Sequence, residues 1–216
     1  MISFRCTACG ACCNSAPSLS LPELFHHQRR FIGTLAIRRF SPFETFADEP
    51  FETVSGPTGP ELVLLAAQAF DEPPRGRCPA LGADQRCTLE LDRKPSQCRA
   101  VPLEPLLPDA KQLEILGVRG REAAYMGASC VQPGESAGHL PLVVERRVVD
   151  AEALAALAAR RRELLTDQRL YGRAVFELLR PELFDRPERF AKVPLGGCLS
   201  LSLAPALAVI ASASQR

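Results

Sequence analysis

The sequence predicts an α+β fold, and three observations point to it. Several short apolar runs have the length and composition of β-strands, and one longer segment has the three- and four-residue spacing of helices. Nineteen prolines and fourteen glycines require many turns between these elements. The expected architecture is a cysteine-rich, loop-heavy amino-terminal domain with short strands plus a C-terminal helical segment.

The first predicted helix follows the amino-terminal cysteines. Ser20 can cap it, Glu23 can complete a capping box, and Pro22 falls in the first turn, where proline is tolerated. We expect this helix to end near Phe31, before Gly33. Its core face would be formed by Leu24, Phe25 and Phe31.

The apolar runs indicate the strands. Residues 34–40 predict a strand, whereas residues 61–70 predict either a buried strand or a short helix, because periodicity does not separate the two. Residues 41–60 are rich in proline and acidic groups and predict a loop. Further strands are predicted at residues 111–118, 139–149 and 198–203.

Residues 150–179 carry the helical periodicity. Asp150 is the expected N-cap, and Asp167 or Gly172 is the expected point at which the run divides into two helices. Residues 160–162 are three consecutive arginines, which we interpret as a solvated helix face rather than a phosphate site.

Charge and composition argue against several classes of partner. The formal net charge is +1, so no overall field attracts nucleic acid or an anionic membrane, and the scarcity of aromatic residues, with no tryptophan, argues against a base-stacking surface. No stretch reaches the roughly 18 apolar residues of a membrane span, and no signal peptide is evident. We therefore expect a cytoplasmic protein that binds neither nucleic acid nor membrane and whose cysteines are thiols or metal ligands.

Four of the nine cysteines, Cys6, Cys9, Cys12 and Cys13, lie within eight residues. The first three have the spacing C-x2-C-x2-C, which matches the first ligands of a bacterial ferredoxin cluster. The small residues between them let the backbone wrap closely around a cofactor, which favours an iron–sulfur cluster over a single zinc ion. A thiolate from elsewhere in the chain would complete either site.

The other cysteines supply that thiolate. Adjacent side chains diverge, so we expect Cys13 to reach a different metal, or a different face of a polynuclear one, from Cys12. Cys130 is as consistent with metal ligation as with a buried thiol. Cys198 lies in a predicted apolar strand, so we expect its thiol to be inert. The candidate metal ligands are Cys6, Cys9, Cys12, Cys13, Cys78, Cys87, Cys98 and Cys130.

Few other residues point to chemistry. Arg99, next to Cys98, would either donate a hydrogen bond to a thiolate or form a surface salt bridge. The sequence contains no phosphate-binding, dinucleotide-binding, zinc-protease or nucleophile-elbow motif, so it assigns no catalytic residue. Surface or capping roles are favoured over ligation for His26, His27 and His139.

The motif C-x2-C-x2-C-C resembles that of the YkgJ-type cysteine-cluster family, which is described as zinc- or iron-chelating. About the first 130 residues share further features: a helix opening at 19–23, a C-x2-L…C pattern at 78–87, and a segment similar to R-P-x2-C-R-x-[FY]-P at 94–102. Lys94 and Val101 depart from the last pattern. The resemblance implies iron–sulfur or zinc binding, and the related flagellin lysine N-methylases use S-adenosylmethionine.

Three functions follow as hypotheses. The leading one is a cytoplasmic metalloprotein with a cysteine-bound iron–sulfur cluster of the 4Fe–4S type, acting in redox, sensing or cluster-dependent chemistry with an unidentified protein partner or electron donor or acceptor. The second is a zinc-stapled structural or interaction module. The third, implied by the resemblance alone, is a protein lysine methylase dependent on S-adenosylmethionine.

The predicted domains are residues 1–135, which bind the metal, and an α+β C-terminal extension of residues 136–216 packed on them.

Overall fold

The computed structural model describes residues 1–13, 17–41, 44–48, 50–56, 59–69, 78–90, 93–122, 130–193, 195–196 and 198–202. Helices and antiparallel sheets confirm the predicted α+β class. Phe70 and Leu203, the last residues of two predicted strands, lie outside the described residues, as does the side chain of Cys198.

In the described residues the strands are β1 (Ile2–Phe4), β2 (Gly33–Phe40), β3 (Glu52–Gly56), β4 (Gly59–Ala69), β5 (Val131–Pro133), β6 (Leu140–Val144), β7 (Arg147–Val148) and β8 (Cys198–Ser202). The α-helices are α1 (Leu21–His26), α2 (Ser96–Ala100), α3 (Asp109–Glu122), α4 (Ala151–Asp167), α5 (Arg173–Leu179) and α6 (Pro187–Phe190). A 3-10 turn covers Ala11–Cys13, and π-helical segments cover Gln168–Gly172 and Arg180–Phe184.

The chain divides into two compact units, each made of two separate stretches. The first unit contains residues 1–17 and 71–162, and the second contains residues 18–70 and 163–216. This division differs from the consecutive domains 1–135 and 136–216 that the sequence predicts. Each unit has its own sheet, and each sheet joins strands from distant parts of the chain, which local composition does not reveal.

The first unit is built on an antiparallel sheet with the strand order β5-β1-β6-β7. The strand predicted over residues 139–149 is confirmed as the paired strands β6 and β7. Because β1 pairs with both β5 and β6, the residues just before the cysteine turn are held on two sides. The core of this unit contains Ile2, Leu103, Leu116, Cys130, Val131, Leu142, Val143, Val148 and Leu157.

Helix α3 occupies residues 111–118, for which the predicted strand is wrong. Gln112 and Leu116 are both fully buried, and their four-residue spacing places them on one face of the helix. The Gln112 amide donates to the carbonyls of Glu104 (2.8 Å) and Leu107 (3.0 Å) and accepts from the Glu104 N–H (2.9 Å). The buried polar side chain therefore ties the start of the helix to the preceding loop.

The second unit has the strand order β3-β4-β2-β8. Strands predicted over 34–40 and 198–203 are confirmed as β2 and β8, and residues 61–70 prove to form a strand rather than a helix. The loop predicted over 41–60 is wrong in its second half, where β3 pairs with β4. The core contains Leu35, Ile37, Val54, Val63, Leu65, Tyr171, Val175, Phe176, Phe184, Phe190 and Val193.

Helix α1 has the predicted capping box. The Glu23 N–H donates to Ser20 Oγ (3.4 Å), and the Ser20 N–H donates to Glu23 Oε2 (2.8 Å). The helix ends at His26, earlier than predicted. Leu24 and Phe31 are buried as expected, but Phe25 is 50% exposed, so its predicted place in the core is wrong.

The helical prediction for residues 150–179 is confirmed, and Asp150 caps α4 by accepting from the Ala153 N–H (2.7 Å). The predicted division at Asp167 or Gly172 takes the form of a π-helical segment rather than a break. None of the helices within the described residues is both long and apolar enough to cross a membrane.

The solvated face predicted for the three arginines of α4 is wrong for two of them. Arg160 is only 1% exposed. Arg161 donates to the carbonyls of Pro105 (3.1 Å) and Leu107 (2.6 Å) and pairs with Asp109 (2.9 Å). Arg161 therefore joins α4 to the loop that leads into α3, within the first unit.

Candidate metal centre

A cavity of about 1040 Å³ in the first unit is lined by every cysteine that the sequence predicts as a ligand. The cysteine turn, the segment 78–90, α2 and the residue before β5 each contribute. The thiols are those of Cys6, Cys9, Cys12, Cys13, Cys78, Cys87, Cys98 and Cys130. Cys198 instead lies on β8 in the second unit.

Backbone hydrogen bonds shape the amino-terminal cysteine turn. The Arg5 N–H donates to the Cys130 carbonyl (2.9 Å), and the Cys13 N–H donates to the Gly10 carbonyl (2.9 Å). Ala8 and Gly10 have positive φ angles of 51° and 70°, which turn the backbone sharply between the cysteines. The turn thus lines the cavity with four thiols from eight consecutive residues.

The second cysteine group is attached directly to this turn. The Cys78 N–H donates to the Cys13 carbonyl (2.9 Å). Leu81 and Cys87 form an antiparallel bridge, which returns the chain to the same wall of the cavity. Cys98 follows on α2. The structure therefore brings the early quartet and the later trio of cysteines to one cavity.

The thiols of Cys12 and Cys13 are hydrogen-bonded to each other. This hydrogen bond raises the pKa of Cys12 and lowers the pKa of Cys13. Burial and the nearby thiols of Cys78, Cys98 and Cys87 oppose the lowering at Cys13. A lowered pKa favours the thiolate, which is the form that binds metal.

Cys9 and Cys130 form a second close pair, with their sulfur atoms 3.8 Å apart. Two thiolates bound tetrahedrally at about 2.3 Å from one metal ion also stand about 3.8 Å apart. Thr7 Oγ1 lies 3.0 Å from the Cys130 sulfur. Burial raises the pKa of Cys130, and the hydrogen bond with Thr7 opposes that increase.

Cationic side chains lie beside the thiols. Lys94 Nζ donates to Glu90 Oε2 (2.7 Å). Burial lowers the pKa of Lys94, but Glu90 and the thiols of Cys87 and Cys98 outweigh that effect, and the pKa is raised. Lys94 thus remains charged and offsets part of the negative charge of neighbouring thiolates. The other cations that line the cavity are Arg86, Arg93 and Arg99.

Small side chains of α4 complete the wall of the cavity, namely Ala155, Ala156 and Ala159.

Within the described part of the chain, no three cysteine, histidine, aspartate or glutamate side chains lie close enough together to hold one metal ion. His27 is buried in the second unit and is the C-cap residue of α1, so of the two predicted roles the capping role is confirmed and the surface role is wrong.

Sequence reasoning missed Thr7 and Lys94 as partners of the thiols. Thr7 counts in the motif only as a small residue between cysteines, although its hydroxyl is a hydrogen-bond donor. Lys94 marks only a departure from a family pattern. Its spacing from Glu90 indicates a local ion pair, but its proximity to Cys87 depends on the fold.

Comparisons of this chain with family models, with curated proteins and with solved structures found no match. The resemblance to the YkgJ-type family therefore stays a prediction. The fold and the site together define an α+β protein in which eight thiols surround one cavity.

Proposed function

We propose that this protein is a cytoplasmic metalloprotein that binds an iron–sulfur cluster of the 4Fe–4S type in its thiol-lined cavity. The observation that carries the proposal is the gathering of eight cysteines around one cavity of about 1040 Å³. Cys6, Cys9 and Cys12 are also exposed, whereas unreactive thiols are typically buried.

The residues of the cavity fit such a cluster. A donor set of soft thiolates selects zinc, copper(I) or iron–sulfur clusters over harder cations. The cavity exceeds the space of a single ion, and Ala8, Gly10 and the α4 alanines leave that space open. When bound, the cluster would supply one-electron transfer. The protein's own part is to hold it by thiolates, to donate from Thr7 to sulfur, and to offset charge with Lys94.

Anaerobic purification followed by iron and sulfide analysis tests this proposal. We expect both elements in stoichiometric amounts, with an electron paramagnetic resonance signal after reduction. Cys13→Ser should lower the iron content, whereas Cys198→Ser, on β8 of the second unit, should leave it unchanged. A colourless protein with stoichiometric zinc and no sulfide would contradict the proposal.

One observation favours zinc as a second candidate. The 3.8 Å separation of the Cys9 and Cys130 sulfurs equals the spacing of two ligands on one tetrahedral ion. In that case the site would be a structural staple without redox chemistry. Zinc would be found by elemental analysis, and a reversible one-electron couple would exclude this candidate.

A further inference from the structure

We infer that the eight cysteines form two separate four-thiolate sites, with Cys13, Cys78, Cys87 and Cys98 in one and Cys6, Cys9, Cys12 and Cys130 in the other. This assignment rests on the proposed metal binding and adds to it the number of metal groups and the ligands of each.

The first site is assembled around Cys13. Its carbonyl accepts from the Cys78 N–H (2.9 Å), so the two residues share a backbone contact. The bridge between Leu81 and Cys87 returns the chain toward Cys78. The thiols whose charge acts on Cys13, apart from Cys12, are those of Cys78, Cys98 and Cys87.

The second site is assembled around Cys130. The Cys9 sulfur lies 3.8 Å from the Cys130 sulfur, and the charge of Cys9 also acts on Cys12. Cys6 directly follows Arg5, whose N–H donates to the Cys130 carbonyl (2.9 Å). Backbone and thiol contacts therefore connect Cys6, Cys9 and Cys130, and the charge of Cys9 links Cys12 to them.

Two arguments favour two sites over one. Zinc and 4Fe–4S clusters each take four protein thiolates, so a single group would leave half of the cavity's thiols unused. Cys13 and Cys12 also have different neighbours among the other cysteines, since the Cys13 carbonyl accepts from the Cys78 N–H and the charge of Cys9 acts on Cys12. The hydrogen bond between their thiols marks the point where the two sites meet.

Metal analysis of two double variants tests the assignment. Cys78→Ser/Cys87→Ser and Cys9→Ser/Cys130→Ser should each retain about half of the wild-type metal, and the combined variant should retain none. Cys198→Ser is the control and should retain all of it. Loss of all metal from either double variant, or of none, would overturn the assignment.

A second measurement needs no variant and so does not depend on how the variants fold. Wild-type protein is treated with a chelator until half of the metal is lost, and the exposed thiols are then alkylated and mapped by mass spectrometry. We expect labelling of one set of four cysteines and protection of the other. Intact masses that show only molecules with no labels or eight labels, and none with four, would overturn the assignment alone, whereas wild-type protein purified without any metal would overturn the proposed function itself.

Discussion

At the scale of single residues, Thr7 lies between two cysteines of the turn and contacts the sulfur of a third. Its hydroxyl lies 3.0 Å from the Cys130 sulfur, and either atom could donate in the free thiol. A metal-bound sulfur is a thiolate and can only accept, so the hydroxyl must then donate. Such a hydrogen bond stabilises the additional negative charge of a reduced cluster.

If the proposed cluster is bound, Thr7→Val should therefore lower its reduction potential. We expect a decrease of about 20–45 mV, which corresponds to about 0.5–1 kcal/mol for one electron. A redox titration followed by electron paramagnetic resonance measures it, and Thr7→Ser should restore the wild-type potential. An unchanged potential at full iron content would show that the hydroxyl does not act on the cluster.

Gly10 allows a second residue-level prediction, on stability. Its φ is 70°, and a Cβ at this position would lie 2.6 Å from Gln85 Oε1, so both the backbone and the space disfavour a side chain. Gly10→Ala should lower the free energy of unfolding by about 1–2 kcal/mol, mainly through the left-handed backbone, since the Gln85 side chain can move.

Gly117 is the matched control, because it lies in α3 with open space around it. Gly117→Ala should raise the free energy of unfolding by about 0.5–1 kcal/mol. Urea denaturation followed by circular dichroism compares the two variants, and equal effects of the same sign would contradict the prediction.

At the scale of elements, the ion pair between Arg39 on β2 and Glu61 on β4 connects two strands of the second unit. Arg39 Nη2 donates to Glu61 Oε1 (2.7 Å), and Arg39 Nη1 donates to the Val193 carbonyl (2.9 Å). The guanidinium also lies 4.8 Å from the centre of the Phe190 ring. One arginine thus joins the sheet to the residues around α6.

Arg39→Met should lower the free energy of unfolding by about 3–5 kcal/mol, because it leaves the carboxylate of Glu61, which is 5% exposed, without its main partner. Arg173→Met is the control: it removes ion pairs with Glu52 and Glu177 in the same unit, but the Arg173 side chain is 67% exposed. We expect a loss below about 1 kcal/mol there. Similar losses in both variants, measured by thermal or urea unfolding, would show that burial does not set the strength of these pairs.

At the scale of the whole molecule, the eight cysteines that line the cavity and the sheet formed by β3, β4, β2 and β8 belong to different units. The cysteine segments are held by a 3-10 turn, an isolated bridge and a few backbone hydrogen bonds. By contrast, β2 is paired along its length in the second unit. Metal binding is therefore expected to stabilise one unit much more than the other.

Metal removal should show this difference in hydrogen exchange. After anaerobic chelation, backbone amides of residues 5–13 and 78–90 should exchange at least about tenfold faster, while those of β2 and β4 should keep their protection. Mass spectrometry of peptides from holo and apo protein measures both regions. Unchanged exchange in the cysteine segments would show that metal does not order them.

The sequence by itself determined the features that depend on near neighbours. The capping box of α1, the N-cap of α4 and the local quartet of cysteines each involve residues close together in the sequence. The strand over residues 34–40 was predicted from the composition of one short run, although its partners β4 and β8 are distant. A short segment of sequence is enough to predict intrinsic conformational preferences and short-range hydrogen bonds.

Only the tertiary structure decided the features that depend on distant partners. Residues 111–118 became a helix because one face is buried, and Arg160 was buried despite its charge. Thr7 meets Cys130 across 123 residues of chain, and each unit joins two separate stretches. The whole fold determines which surfaces pack together and exclude water. No local pattern of residue types specifies these pairings of surfaces.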